Sequence, residues 1–169
     1  MSFYSSGRPT QFGELPAGPD GIATTLKLMG DYVKSWKKDP GINQLSTSLV
    51  RNLPQGDISA EVKALHAFVR DNIRYTNDTT GVETLRDPRA TLEMGVGDCD
   101  DKATLLATLL ESIGRKTRFV AMGFGPTRDY SHVLVEVRVG RGWFPLETIK
   151  PVAAGWSPNG VTHRMLYHN

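Results

Sequence analysis

Ser131-His132-Val133-Leu134-Val135-Glu136-Val137-Arg138-Val139-Gly140-Arg141-Gly142-Trp143-Phe144-Pro145-Leu146-Glu147-Thr148-Ile149 is the stretch that decides the fold. Its first half alternates with a period of two: Val133, Val135, Val137 and Val139 on one face, His132, Leu134, Glu136 and Arg138 on the other. Gly140-Arg141 then reads as a two-residue turn of the Gly-X type, and Trp143–Ile149 as the returning strand. Such a loop pairs Val139 with Gly142, so the numbers of paired residues sum to 281. In that register Leu134 faces Glu147 and His132 faces Ile149. Glu147 becomes a diagonal neighbour of His132 on one face, roughly 7–8 Å away at the backbone. A three-residue loop would send Glu147 to the opposite face.

Outward from the hairpin the period changes. Thr117–Met122 reads as a further short strand. Before it, Asp98 stands where an N-cap belongs, and Ala103, Leu106, Leu109, Leu110 and Ile113 follow at helical spacing up to Gly114. Pro88 behind Asp87 starts a short helix that closes near Gly95. Asp57 caps a helix with Ile58, Val62, Leu65, Val69 and Ile73 facing inward. Ile42, Leu45, Leu49 and Leu53 form a shorter stripe, and Ile22, Leu26, Met29, Val33 and Trp36 another, with Asp39-Pro40-Gly41 as the break between them. Helices followed by an antiparallel sheet predict an α+β fold, a helical N-terminal part packed on that sheet. Residues 1–19 are an extended arm rich in Gly, Pro and Ser, 20–150 the domain proper, and the tail 151–169 is expected to be loop-like. An arm of that composition is disordered in isolation, so order in it would call for a protein partner.

The 169 residues suit one domain. A net charge of +2 without a dense Lys/Arg run gives no reason to expect nucleic acid as a partner. No apolar run approaches the ~20 residues that span a bilayer. Met1–Ser6 lacks a cationic start with an apolar segment behind it, so no signal peptide is expected, and the protein is placed in the cytoplasm or in a virion. A single cysteine, Cys99, excludes an intramolecular disulfide and a Cys-based zinc cluster.

Cys99 is either buried filler or a nucleophile. Its place in the first turn of a helix favours a thiolate, because unpaired N–H groups and the helix dipole attract an anion. Asp98, Asp100 and Asp101 act against that, and a cationic partner would have to offset them. As a metal site these acids lack calcium-loop spacing; capping and first-turn roles explain them, and no metal or other cofactor is expected. His132 taken alone is a partly exposed strand residue, but the hairpin brings it a carboxylate. Cys99, His132 and Glu147 stand in the order of a thiol triad, in which the His takes the thiol proton and the acid fixes its tautomer. His66 reads as a surface or boundary residue, His163 and His168 have no evident partner, and Trp36, Trp143 and Trp156 read as packing.

Gly97-Asp98-Cys99-Asp100-Asp101-Lys102-Ala103, Ser131-His132-Val133 and Trp143-Phe144-Pro145-Leu146-Glu147-Thr148 together resemble the transglutaminase-like superfamily of papain-type thiol enzymes. Phe68–Tyr75 resembles the helix-to-strand approach upstream of the Cys in bacterial members, and the resemblance spans roughly residues 57–150. It implies a papain-like core with the nucleophile at a helix N-terminus, and Cys99, His132 and Glu147 as catalytic residues. The family's third motif has Asp where Glu147 stands, one methylene shorter. It also implies an oxyanion donor upstream of the Cys, for which Tyr75 is the candidate beside the Cys99 N–H; a packed strand residue is the other reading of Tyr75. The implied activity is a cysteine peptidase or amidase, or a protein-glutamine acyltransferase, acting on a peptide or protein substrate such as a cell-wall peptide. The alternative of another class is a structural or adaptor subunit, for example of a phage virion or tail, that keeps the fold.

Overall fold

Four helices start behind an aspartate that caps them. The computed structural model describes residues 10–11, 19–77 and 84–169. In it Asp39 accepts from the Ile42 N–H (3.0 Å) ahead of α2 (Pro40–Val50), and Asp57 from the Ala60 N–H (2.9 Å) ahead of α3 (Ile58–Asn72). Asp87 accepts from the Ala90 N–H (2.8 Å) ahead of α4 (Pro88–Met94). Asp98 accepts from the Asp100 and Asp101 N–H groups, both at 3.0 Å, ahead of α5 (Cys99–Ser112). Each carboxylate satisfies donors that a helix start leaves unpaired. The remaining helix is α1 (Pro19–Trp36).

Helix α5 is the axis of the molecule. Ten consecutive residues, Asp101–Leu110, are buried, with Leu105, Leu106, Ala107, Leu109 and Leu110 fully inaccessible. A helix buried on every side must be covered on every side. α1, α2, α3 and α4 cover it, and the sheet closes the remaining face. Thr104 and Thr108 survive in this interior because each hydroxyl donates to the carbonyl four residues back, both at 2.7 Å.

The sheet contains β5 (Thr117–Phe124), β6 (His132–Val139), β7 (Gly142–Leu146) and β8 (Val161–His168), in spatial order β7-β6-β5-β8, all antiparallel. Phe119, Ala121, Val133, Val135, Val137 and Leu146 join the helical core; Val120, Met122 and Leu134 form a smaller cluster with Val161 on the other face. Val139 pairs with Gly142 and Val135 with Leu146, the register that sums to 281. Gly140 has φ 59° and Arg141 does not have positive φ, which fits a Gly-first II′ turn. Pro145, which cannot donate to a ladder, lies on an edge strand, where that loss is tolerated. Two short ladders flank the core: β1 (Thr10–Gln11) antiparallel to β3 (Thr84–Leu85), and β2 (Arg74–Tyr75) parallel to β4 (Val96–Gly97).

Two expectations are adjusted, and a third falls mostly outside the described residues. The returning strand ends at Leu146 rather than Ile149, because the Glu147 carbonyl turns away from β6 to a side chain of α3. The expected loop after Pro151 is a full edge strand over 161–168, paired with β5. Val161, His163, Met165 and Tyr167 are half-buried while their neighbours are exposed, an alternation masked in the sequence by its polar residues. Of the expected arm, residues 1–9 and 12–18 lie outside the described residues, and Thr10–Gln11 pair with the chain's own β3.

The β5–β8 register shifts at Gly123, where the backbone approaches closely. A Cβ there would lie 1.9 Å from His163 Nε2 and 2.4 Å from the Asp129 carbonyl oxygen. Gly123→Ala is expected to destabilise the protein by about 1–3 kcal/mol, the usual cost of overpacking. The shift of its urea midpoint at unchanged m-value measures this.

Candidate active site

The first turn of α5 is built residue by residue. Gly97 ends β4, and a Cβ on it would meet the Asp101 Cβ at 2.7 Å, so no larger residue fits without displacing the helix. Asp98 caps the helix, and Asp101 answers it by accepting from the Asp98 N–H at 3.4 Å, a reciprocal capping box. Asp101 is fully buried, and it also accepts from the Arg86 N–H (2.7 Å) and pairs with the Arg86 guanidinium. Among the described residues no group of three or more His, Cys, Asp or Glu gathers as a metal site. Lys102, 1% exposed, runs the other way and donates to the Arg70 and Ile73 carbonyls at the C-terminal end of α3.

Cys99 is the first residue of α5, half-buried. Burial, together with Asp100 and Asp98, pushes its thiol well above the ordinary value, with the Val133 main chain acting the other way. The thiol donates to Asp100 Oδ1 at 3.4 Å. The group is therefore a neutral thiol at rest. Val133, whose main chain is among the groups that act on the thiol, follows His132 at the start of β6.

His132 Nε2 lies 2.6 Å from Glu147 Oε2. Glu147 is 1% exposed. Burial opposes its ionisation, but His132 and the N–H groups of Ile149 and Lys150 outweigh it and hold the carboxyl below its ordinary value. The Ile149 N–H donates to Oε1 at 2.7 Å. An ionised carboxylate only accepts, so Nε2 carries the proton of neutral His132 and Nδ1 keeps its lone pair.

Tyr75 ends β2, pairs with Gly97, and is 42% exposed, so it is not a packed strand residue. Its hydroxyl donates to Asn77. The Thr76 N–H donates to the Gly97 carbonyl at 3.1 Å, which ties this segment to the approach to Cys99. His66 is corrected from surface to core: it is 1% exposed, and its Nε2 lies 2.5 Å from the Glu147 carbonyl oxygen. Only the stripe Val62, Leu65, Val69 on the same helix hinted at it, since His66 adjoins Leu65. Lys102 was equally unforeseen, because lysine is rarely found inside.

The sequence profile of the transglutaminase-like superfamily matches residues 44–148. The chain belongs to this superfamily. Its α+β fold is the papain-type arrangement, with Cys99 opening the central helix. Among solved structures it resembles a candidate protease from Parabacteroides distasonis, with a TM-score of 0.60 and 14% identity, over 85% of this chain and 36% of that one. It also resembles a candidate cysteine protease from Cytophaga hutchinsonii, with a TM-score of 0.56 and 14% identity, over 83% of this chain and 51% of that one. The chain thus spans about a third and about half of those proteins. No curated protein matches it. Among the described residues no helix is long and apolar enough to cross a membrane.

Two stability measurements test the supports of this superfamily member's first turn. Asp101→Ala removes one half of a buried ion pair and the capping box together. It should cost about 3–5 kcal/mol in chemical denaturation, as removal of one partner of a buried pair does. Burial lowers Lys102 to about 8 from the ordinary 10.5, with Glu147 and Asp71 acting the other way. Across that window the unfolded chain holds a proton that the fold does not, so the residue's contribution to stability rises with pH. Urea midpoints at about pH 8 and about pH 10 should differ more positively in the parent than in Lys102→Met.

Proposed function

We propose that the chain is a thiol acyl-transfer enzyme, a cysteine peptidase or amidase, with Cys99 as nucleophile, His132 as base and Glu147 as its orienting acid. The observation that carries this reading is the 2.6 Å His132–Glu147 bond at the head of β6, the strand whose Val133 main chain acts on the Cys99 thiol. With Nε2 committed to Glu147, Nδ1 is the nitrogen that takes the thiol proton. The sulfur then attacks the amide carbonyl, an S–C bond forms, and the carbonyl oxygen becomes an oxyanion. The Cys99 N–H is suited to that charge, because the cap bonds engage the N–H groups of Asp100 and Asp101 instead. Tyr75 is the proposed side-chain donor. It flanks Gly97, and its hydroxyl would exchange Asn77 for substrate. The imidazolium next protonates the leaving amine as the C–N bond breaks. Water, losing a proton to His132, then releases the acid from the thioester and restores the thiol.

A neutral resting thiol makes the base indispensable: a proton must leave the sulfur during attack rather than beforehand. The substrate class is a peptide or isopeptide amide, and cell-wall stem peptides are the first to test. Incubation with such peptides should add an acyl mass to Cys99 in the intact protein's mass spectrum, and Cys99→Ala should acquire none. His132→Ala is expected to slow acylation by about 10²–10⁴-fold, the usual contribution of a positioned base. If Cys99 in the parent traps no acyl group from such peptides and His132→Ala leaves its alkylation rate unchanged, the fold serves as a scaffold and the enzyme reading fails.

A further inference from the structure

The pairing of β6 with β7 ends at Val135 and Leu146, so Glu147, the next residue, has no ladder partner on β6. A glutamate there has one more rotatable bond than the aspartate of the family's motif, and therefore more ways to miss the imidazole. Two anchors constrain it. The Ile149 N–H holds Oε1 at 2.7 Å, which fixes the tip of the side chain. His66 Nε2 meets the Glu147 carbonyl at 2.5 Å, which fixes its base. A carbonyl only accepts, so Nε2 of His66 bears the proton. Burial keeps His66 neutral by pushing it below its ordinary value; the Glu147 carbonyl, Asp71 and the Glu147 carboxylate act against this, while Arg70 reinforces it. The donor comes from α3, whose Leu65 and Val69 are fully buried, so the anchor rests on a rigid element.

We propose that His66 is a positioning residue of the active site: its bond to the Glu147 main chain replaces the missing ladder bond and aims the carboxylate at His132. The inference deepens the triad reading and rests on it. Its consequence is chemical. A misaimed carboxylate stabilises the imidazolium of His132 less, so removal of the Cys99 proton costs more and the sulfur is less reactive.

The test is the rate constant for alkylation of Cys99 by iodoacetamide, measured from about pH 5 to about pH 9 and alongside the melting temperature. The variants are His66→Leu, His66→Gln, His66→Asn and Glu147→Gln. Leucine fills the space without a donor. Glutamine carries its amide N–H to about the reach of Nε2, whereas asparagine stops short. His66→Leu and His66→Asn should react about tenfold more slowly near pH 7, the effect of one pKa unit. Their profiles should move to higher pH, as that of Glu147→Gln does, and His66→Gln should recover most of the loss. A lowered melting temperature with an unmoved profile would make His66 a packing residue and overturn the inference. Equal behaviour of the Gln and Asn variants would do the same, and that pair decides the matter if the leucine variant does not fold. If Glu147→Gln itself leaves the profile unmoved, the failure belongs to the triad reading instead.

Discussion

A helix buried along ten consecutive residues has only its ends at which to meet polar chemistry, and that constraint shapes this molecule. The N-terminal end of α5 concentrates donors, and the chain answers with three aspartates. Asp98 and Asp101 neutralise those donors through the capping box, and Asp101 carries the surplus charge to Arg86. What remains unoccupied by the cap is the Cys99 N–H, beside the sulfur. The arrangement that stabilises the helix therefore leaves one donor and one thiol at the same place.

The same first turn sets the protonation state of the thiol. The helix end would favour a thiolate, but burial and the two flanking carboxylates reverse the sign. The thiol is then held in its protonated form. Glu147 takes the opposite course: nearly as buried as the core leucines, it stays ionised because His132 and two main-chain N–H groups meet it. The half-buried thiol is held neutral and the buried carboxylate charged, and His132 stands in the chain between them.

Much of this was legible in the sequence, where local rules apply. Aspartates before apolar stripes marked four helix starts, and Gly140-Arg141 determined a register that holds as far as Val135 and Leu146, beyond which Glu147 meets His132 outside the ladder. Less was legible where the partner is distant. β8 has half-buried His163 and Tyr167 in its inward row, a weak alternation that gains meaning only against β5, some 40 residues earlier. His66 and Lys102 were hidden for a related reason. Each is a polar residue whose burial depends on a carbonyl from another element: Glu147 for His66, Arg70 and Ile73 for Lys102. Periodicity reports which side of a helix faces inward, but it says nothing of an acceptor waiting there.

These hidden residues share a geometry. α3 sends its His66 to the chain segment that bears Glu147, and it receives Lys102 from the helix that bears Cys99. Both halves of the site are thereby referred to one helix. Sheet hydrogen bonds alone would not achieve this, since β7 stops one residue short of Glu147 and α5 is joined to β6 by side-chain packing. A shift of α3 would move the acid and the first turn together, keeping their spacing. A shift of the hairpin against α5 would have to break the His66 bond first. The placing of Cys99 relative to Glu147 thus involves, besides the sheet that carries His132, a helix that holds none of the three.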